Sequence, residues 1–108
     1  MNILEKIVQK TKQRLHDEKD YLSLNTLITI TENSRTPFDF CALFTNDGLN
    51  IISEIKFASP SEGNIAETEP IKTARAYLEN GATALSILTE PFFFKGSLNY
   101  IVWVRERF

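Results

Sequence analysis

Two short apolar runs joined through a single helix-length segment constrain this chain more than any other feature. The first is "NIISEIKF" (Asn50 to Phe57) and the second is "ATALSILTE" (Ala82 to Glu90). Each has the length and branched-residue content of a buried strand. Between them, Pro70 opens a helix at a position where its missing N–H is no loss. Ile71, Ala74, Tyr77 and Leu78 give that helix an apolar side, and Asn80-Gly81 ends it. Strands joined through a helix pair parallel, with a right-handed crossover. The class is α/β.

Side chains alternate faces along a strand. Ile51, Ser53, Ile55 and Phe57 fall on one face, which suits packing under helices. Ile52, Glu54 and Lys56 fall on the other. An acid and a base two residues apart are roughly 7 Å apart at the backbone. Buried together, each needs the other or a ligand to offset desolvation. Spacing alone leaves both readings open, a structural ion pair or a binding site.

Parallel sheets place their sites at the C-terminal ends of the strands. Glu54, Lys56, Ser59 and Ser61 lie there for the first strand, in and before the loop "ASPSEGNIAETE" (58–69). Thr89, Glu90 and the Phe92-Phe93-Phe94 run follow the second strand. The set offers a cation, two carboxylates, hydroxyls and an aromatic wall, which fits an anionic, partly aromatic small molecule. Of the three phenylalanines only Phe94 is assigned to the site, because consecutive aromatics more often pack. Trp103 and Tyr77 read as core.

Upstream, Ile3, Leu4, Ile7, Val8, Thr11 and Leu15 form a helical stripe behind Asn2 as N-cap, and His16 to Asp20 form its solvated end. Ser23 to Ile30 reads as a second short helix and Thr31 to Pro37 as a loop. "FDFCALF" (Phe38 to Phe44) reads as an apolar helical turn before a turn at Thr45 to Gly48. After the second strand, Ser97 caps a final helix in which Leu98, Ile101, Val102, Arg105 and Phe108 share a side.

A net charge of −2 with no basic stripe argues against a nucleic-acid partner. No apolar run reaches the roughly 18 residues of a membrane span, and "MNILEKIVQK" lacks a signal peptide's apolar centre. The location expected is the cytoplasm. The single cysteine excludes an intrachain disulfide and a cysteine-cluster metal site. No metal is expected, and Cys41 reads as a buried, inert thiol.

The motifs resemble one family. "EIKFASPSEGNI" is similar to E-x-K-x-x-S-P-S-x-G-x-I, the first-strand signature of indole-3-glycerol phosphate synthase. "NILEKIV" resembles that family's N-terminal helix, and "FDFCALF" the segment before its first strand. "ARAYLENGATALSILTEPFFFKGS" is similar to its A-x-x-Y-x-x-x-G-A-x-A-x-S-x-L-T-E…F-F-x-G-S block. The resemblance spans nearly the whole chain. Departures are Ser53 for a common alanine, Phe57 and Glu62 for common basic residues, and Asn80 for a frequent glycine. Glu62 matters most, because it brings negative charge to a loop expected to meet an anion.

The resemblance implies a partial (β/α)8 TIM barrel, with an N-terminal helical extension (1–48) and the first two parallel βα units (49–108) in a single incomplete domain. It implies ring closure and decarboxylation of 1-(2-carboxyphenylamino)-1-deoxyribulose 5-phosphate, a phosphorylated anthranilate derivative, in tryptophan biosynthesis, without cofactor. Lys56 would contact the substrate's anionic groups, and Glu54 would hold the catalytic lysines and share in proton handling. Ser59 would hydrogen-bond within the site, with Ser61 beside it in the same loop. Leu88 and Phe94 would wall the pocket for the aromatic ring. The family's general-acid lysine, a glutamate and the phosphate site belong to later strands, and a full barrel takes about 250 residues. These 108 residues are therefore expected to be inactive alone. The alternatives are a half-barrel that a partner chain completes and a non-catalytic interaction module. Unpaired strand edges predict a marginal fold or self-association.

Overall fold

The computed structural model describes residues 1–45 and 47–108. They form two compact units, Met1–Phe38 and Asp39–Phe108.

The first unit holds helices α1 (Ile3–Glu18) and α2 (Leu24–Glu32). Asn2 starts α1 through a capping box. Its Oδ1 accepts the Glu5 N–H at 2.8 Å, and Glu5 Oε2 accepts the Asn2 N–H at 3.0 Å. Ser23 starts α2 by accepting the Thr26 N–H at 3.2 Å. Both starts follow from short polar side chains placed just before apolar periodicity.

The second unit runs through a 3₁₀ turn (Cys41–Leu43), β1 (Ile52–Ile55), β2 (Ala58–Ser59), β3 (Gly63–Asn64), α3 (Pro70–Glu79), β4 (Ala84–Ile87) and α4 (Leu98–Arg107). β1 and β4 pair parallel, in the register Ile52–Ala84, Ser53–Leu85, Glu54–Ser86 and Ile55–Ile87. The expected strand–helix–strand unit is present, with Pro70 in the first turn of α3 and Ser97 capping α4. No helix among the described residues is long and apolar enough to cross a membrane.

The core lies between the sheet and α3 and α4. Ile55 (2% exposed), Ala74 (0%) and Val104 (6%) form its centre, and Phe57, Tyr77, Leu85 and Ile87 pack around them. The face chosen for Ile55 and Phe57 is thus the buried one, but Ile51, read on the same face, is 46% exposed because it precedes the paired part of β1. Full burial of a side chain the size of Ile55 contributes about 1.5–3 kcal/mol. Ala74 has no atoms beyond Cβ, which lets α3 approach both the sheet and α4.

Several expectations need correction. Segment 58–69 contains a small antiparallel hairpin, with Ala58 opposite Asn64 and Ser59 opposite Gly63. Two-residue strands are too short to show a period. On α4 the buried residue is Val104, whereas Leu98, Ile101, Val102 and Phe108 are exposed. The inward stripe starts at Tyr100, one turn before Val104, and its ring meets Phe57 edge-on at 5.8 Å. Trp103 stands beside that stripe and is 43% exposed, so it is not core. Cys41 is exposed. A three-residue turn has no buried face, and Phe40 and Phe44 pack on each other across it at 5.0 Å. The turn read at Thr45–Gly48 includes Asn46, which lies outside the described residues.

Tyr77 ties α3 to the strand that carries the charged pair. The Ile51 and Ile55 carbonyls accept bonds from Thr83 and Leu88, on the β4 side. The Glu54 carbonyl is out of phase with them and points to the opposite edge. The Tyr77 hydroxyl donates to it at 3.0 Å. Tyr77→Phe is expected to cost about 0.5–1.5 kcal/mol. The urea midpoint should fall with an unchanged slope; an unmoved midpoint would mean water serves the carbonyl equally well.

Candidate functional site

Glu54 and Lys56 stand on the sheet face opposite the core, at the C-terminal end of β1. Lys56 Nζ lies 3.1 Å from Glu54 Oε1, and the side chains are 36% and 44% exposed. At that exposure neither charge is desolvated enough to require the other. Such a pair stabilises a fold by about 1 kcal/mol at most, so fold stability is a weak reason for its presence.

Ser86 completes the arrangement. It is the register partner of Glu54 across the β1–β4 pair, and its hydroxyl donates to Glu54 Oε2 at 3.1 Å. One carboxylate oxygen therefore faces the serine and the other faces the ammonium. Sequence reasoning missed Ser86. The available signal was the face it shares with Ala84 and Leu88 in "ATALSIL", but only a known register puts it opposite Glu54.

The hydroxyls of the first loop form a second cluster. Pro60, Ser61 and Glu62 make the hairpin turn, and Gly63 takes the left-handed conformation (φ 64°) that closes a three-residue loop. Ser59 Oγ accepts the Glu62 N–H at 3.2 Å and lies 3.4 Å from Ser61 Oγ. Ser59 thus braces its own turn and keeps a hydroxyl beside that of Ser61.

The second loop supplies Leu88 and Phe94, both half-buried. Glu90, read as a second carboxylate for a ligand, is used differently. Its Oε1 accepts the Phe92 N–H at 2.9 Å, and its Oε2 accepts those of Phe93 and Phe94 at 2.7 and 3.1 Å. It caps the Pro91–Phe94 turn and fixes the backbone that presents Phe94. One carboxylate, Glu54, therefore pairs with the cation at the strand end, and the other holds the turn that carries Phe94. Lysine, carboxylate and hydroxyls can bind an anion and relay a proton, with apolar groups to take a ring.

Residues 4–108 match the family model for indole-3-glycerol phosphate synthase. The chain is similar to proteins named indole-3-glycerol phosphate synthase from several bacteria. One from Campylobacter fetus subsp. fetus is 48% identical over 106 residues, covering 96% of this chain and 41% of the relative. One from Sulfurimonas denitrificans is 40% identical over 109 residues, with 96% and 41% covered. One from Aquifex aeolicus is 39% identical over 106 residues, with 98% and 40% covered. The chain thus spans about 41% of the length of the curated relatives it matches. The helices and the parallel βα units are the N-terminal portion of a (β/α)8 barrel, and the chain belongs to the indole-3-glycerol phosphate synthase family.

Proposed function

We propose that these residues form part of the site at which 1-(2-carboxyphenylamino)-1-deoxyribulose 5-phosphate is converted to indole-3-glycerol phosphate, a lyase step of tryptophan biosynthesis, in the cytoplasm. The reaction closes a carbon–carbon bond onto the aromatic ring, expels the ring carboxylate as carbon dioxide and eliminates water. Lys56 is assigned to the anionic groups of the substrate and to the charge that develops during closure. Glu54 is assigned to holding lysine ammonium groups in place and sharing in proton movement. Ser59 and Ser61 are assigned to hydrogen bonds with the substrate, and Leu88 and Phe94 to the aromatic ring. The observation that carries this reading is the half-exposed Lys56–Glu54 pair at a strand end, with Ser86 on the second carboxylate oxygen.

Two βα units supply part of an eight-strand site, so the reading requires the other units for turnover. The test is a chimera in which these 108 residues replace the matching 41% of the Campylobacter fetus relative. Turnover is followed by fluorescence of the indole product. The chimera is expected to form product and the 108-residue chain alone to form none. Product from the chain alone would favour a site completed by self-association. A folded but silent chimera, beside an active parent, would favour a non-catalytic module.

A further inference from the structure

We propose that Lys95 is a positioning residue that latches the β2–β3 hairpin to the loop between β4 and α4, and so sets where Ser59 and Ser61 stand. Lys95 Nζ donates a hydrogen bond to Asn64 Oδ1, joining residues 31 apart in sequence. Asn64 is in β3, paired with Ala58, and Ser59 pairs with the adjacent Gly63. Just beyond, the Ile65 N–H donates to the Phe57 carbonyl at 2.7 Å. A hold on Asn64 is therefore a hold on the strand opposite Ser59.

The backbone around Lys95 gives the latch a rigid base. Lys95 has φ 52°, the left-handed region that glycine or asparagine would occupy more readily. The next residue, Gly96, donates its N–H to the Glu90 carbonyl at 2.8 Å. It also presses so closely on Leu88 and Thr89 that a Cβ would meet their backbone atoms. From α4, the Tyr100 hydroxyl reaches the Lys95 carbonyl at 3.5 Å while its ring packs on Phe57. Local backbone preference thus gives no reason for a lysine at this position, whereas its ammonium has a specific acceptor on the facing loop. Non-glycine residues in left-handed backbone concentrate at functional sites.

The role in placing substrate rests on the reading of Ser59 and Ser61 given above, but the latch itself can be tested without substrate. Amide hydrogen exchange is measured by NMR on the 108-residue chain at Glu62, whose N–H is held by Ser59 Oγ, and at Ile65. Lys95→Gly and Asn64→Ala should each speed exchange about fivefold at both amides, the size expected for one hydrogen bond. The double variant should do no more than either alone, and Lys95→Arg should restore slow exchange. Lys95→Gly also relieves the left-handed backbone, so its thermal midpoint should not fall, which separates loss of the latch from loss of folding. Unchanged exchange in Lys95→Gly, or effects that add fully in the double variant, would overturn the latch. A chimera that turns over while hairpin exchange ignores Lys95 would overturn the latch and leave the functional reading standing.

Discussion

Gly96→Ala is expected to destabilise the Asp39–Phe108 unit more than any other single substitution proposed for its fold. A Cβ there would lie 2.2 Å from the Leu88 oxygen, 2.5 Å from the Leu88 carbonyl carbon and 2.8 Å from that of Thr89. All three are backbone atoms, so no rotamer change relieves the contact. Nor is the backbone free to withdraw. The Leu88 N–H donates to Ile55 at 3.2 Å, extending the parallel pair, and the Gly96 N–H donates to Glu90 at 2.8 Å. Overpacking alone costs about 1–3 kcal/mol, and each ladder bond lost adds about 1 kcal/mol. The sum, about 3–5 kcal/mol, compares with about 5–15 kcal/mol for a whole domain. Urea denaturation reads the effect. Gly48→Ala is the control, because nothing among the described residues lies within 4 Å of its added Cβ, and its midpoint should move little. If both variants unfold at the wild-type midpoint, the β4–α4 loop is softer than its hydrogen bonds imply.

What the sequence disclosed divides by the range of the interaction. Caps were legible because they are local. Asn2, Pro70 and Ser97 sit where the structure uses them. The βαβ unit was legible because two apolar runs and one amphipathic helix leave a single way to pair the strands. The core face of β1 was legible from alternation alone, and Ile55 is its most buried large side chain. The phase of α4 was not. Its sequence is apolar on more than one side, and the choice of Val104 over Ile101 or Val102 depends on where Ala74 and Ile55 lie. The hairpin was missed because its strands are two residues each. The placing of Glu54 and Lys56 on one strand face was legible from their spacing, whereas Ser86 as the partner of Glu54 needed the register of a strand more than thirty residues away. Glu90 shows the opposite limit. A carboxylate at a strand end is as able to cap the next turn as to meet a ligand, and only the backbone of Pro91–Phe94 decides which.

Lys56→Met in the chimera is expected to lower kcat/KM by about 10²–10³-fold, the usual scale for one electrostatic contact to a developing charge. The side chain is of similar length and loses only the ammonium. Because the pair is half-exposed, its loss should change stability by no more than about 1 kcal/mol. That disparity separates a site residue from a structural one. Glu54→Gln keeps the shape and leaves an amide oxygen for Ser86, but removes the charge that holds Lys56. Its effect should be smaller than that of Lys56→Met. In the double variant the two should combine to much less than their product, because one acts largely through the other. The paired measurements are kcat/KM by product fluorescence and the urea midpoint of each variant. A large fall in midpoint with a proportionate fall in activity would make the pair a structural element. Full multiplicativity would mean that Glu54 and Lys56 contact the reaction independently, and that the 3.1 Å approach between them is incidental to it.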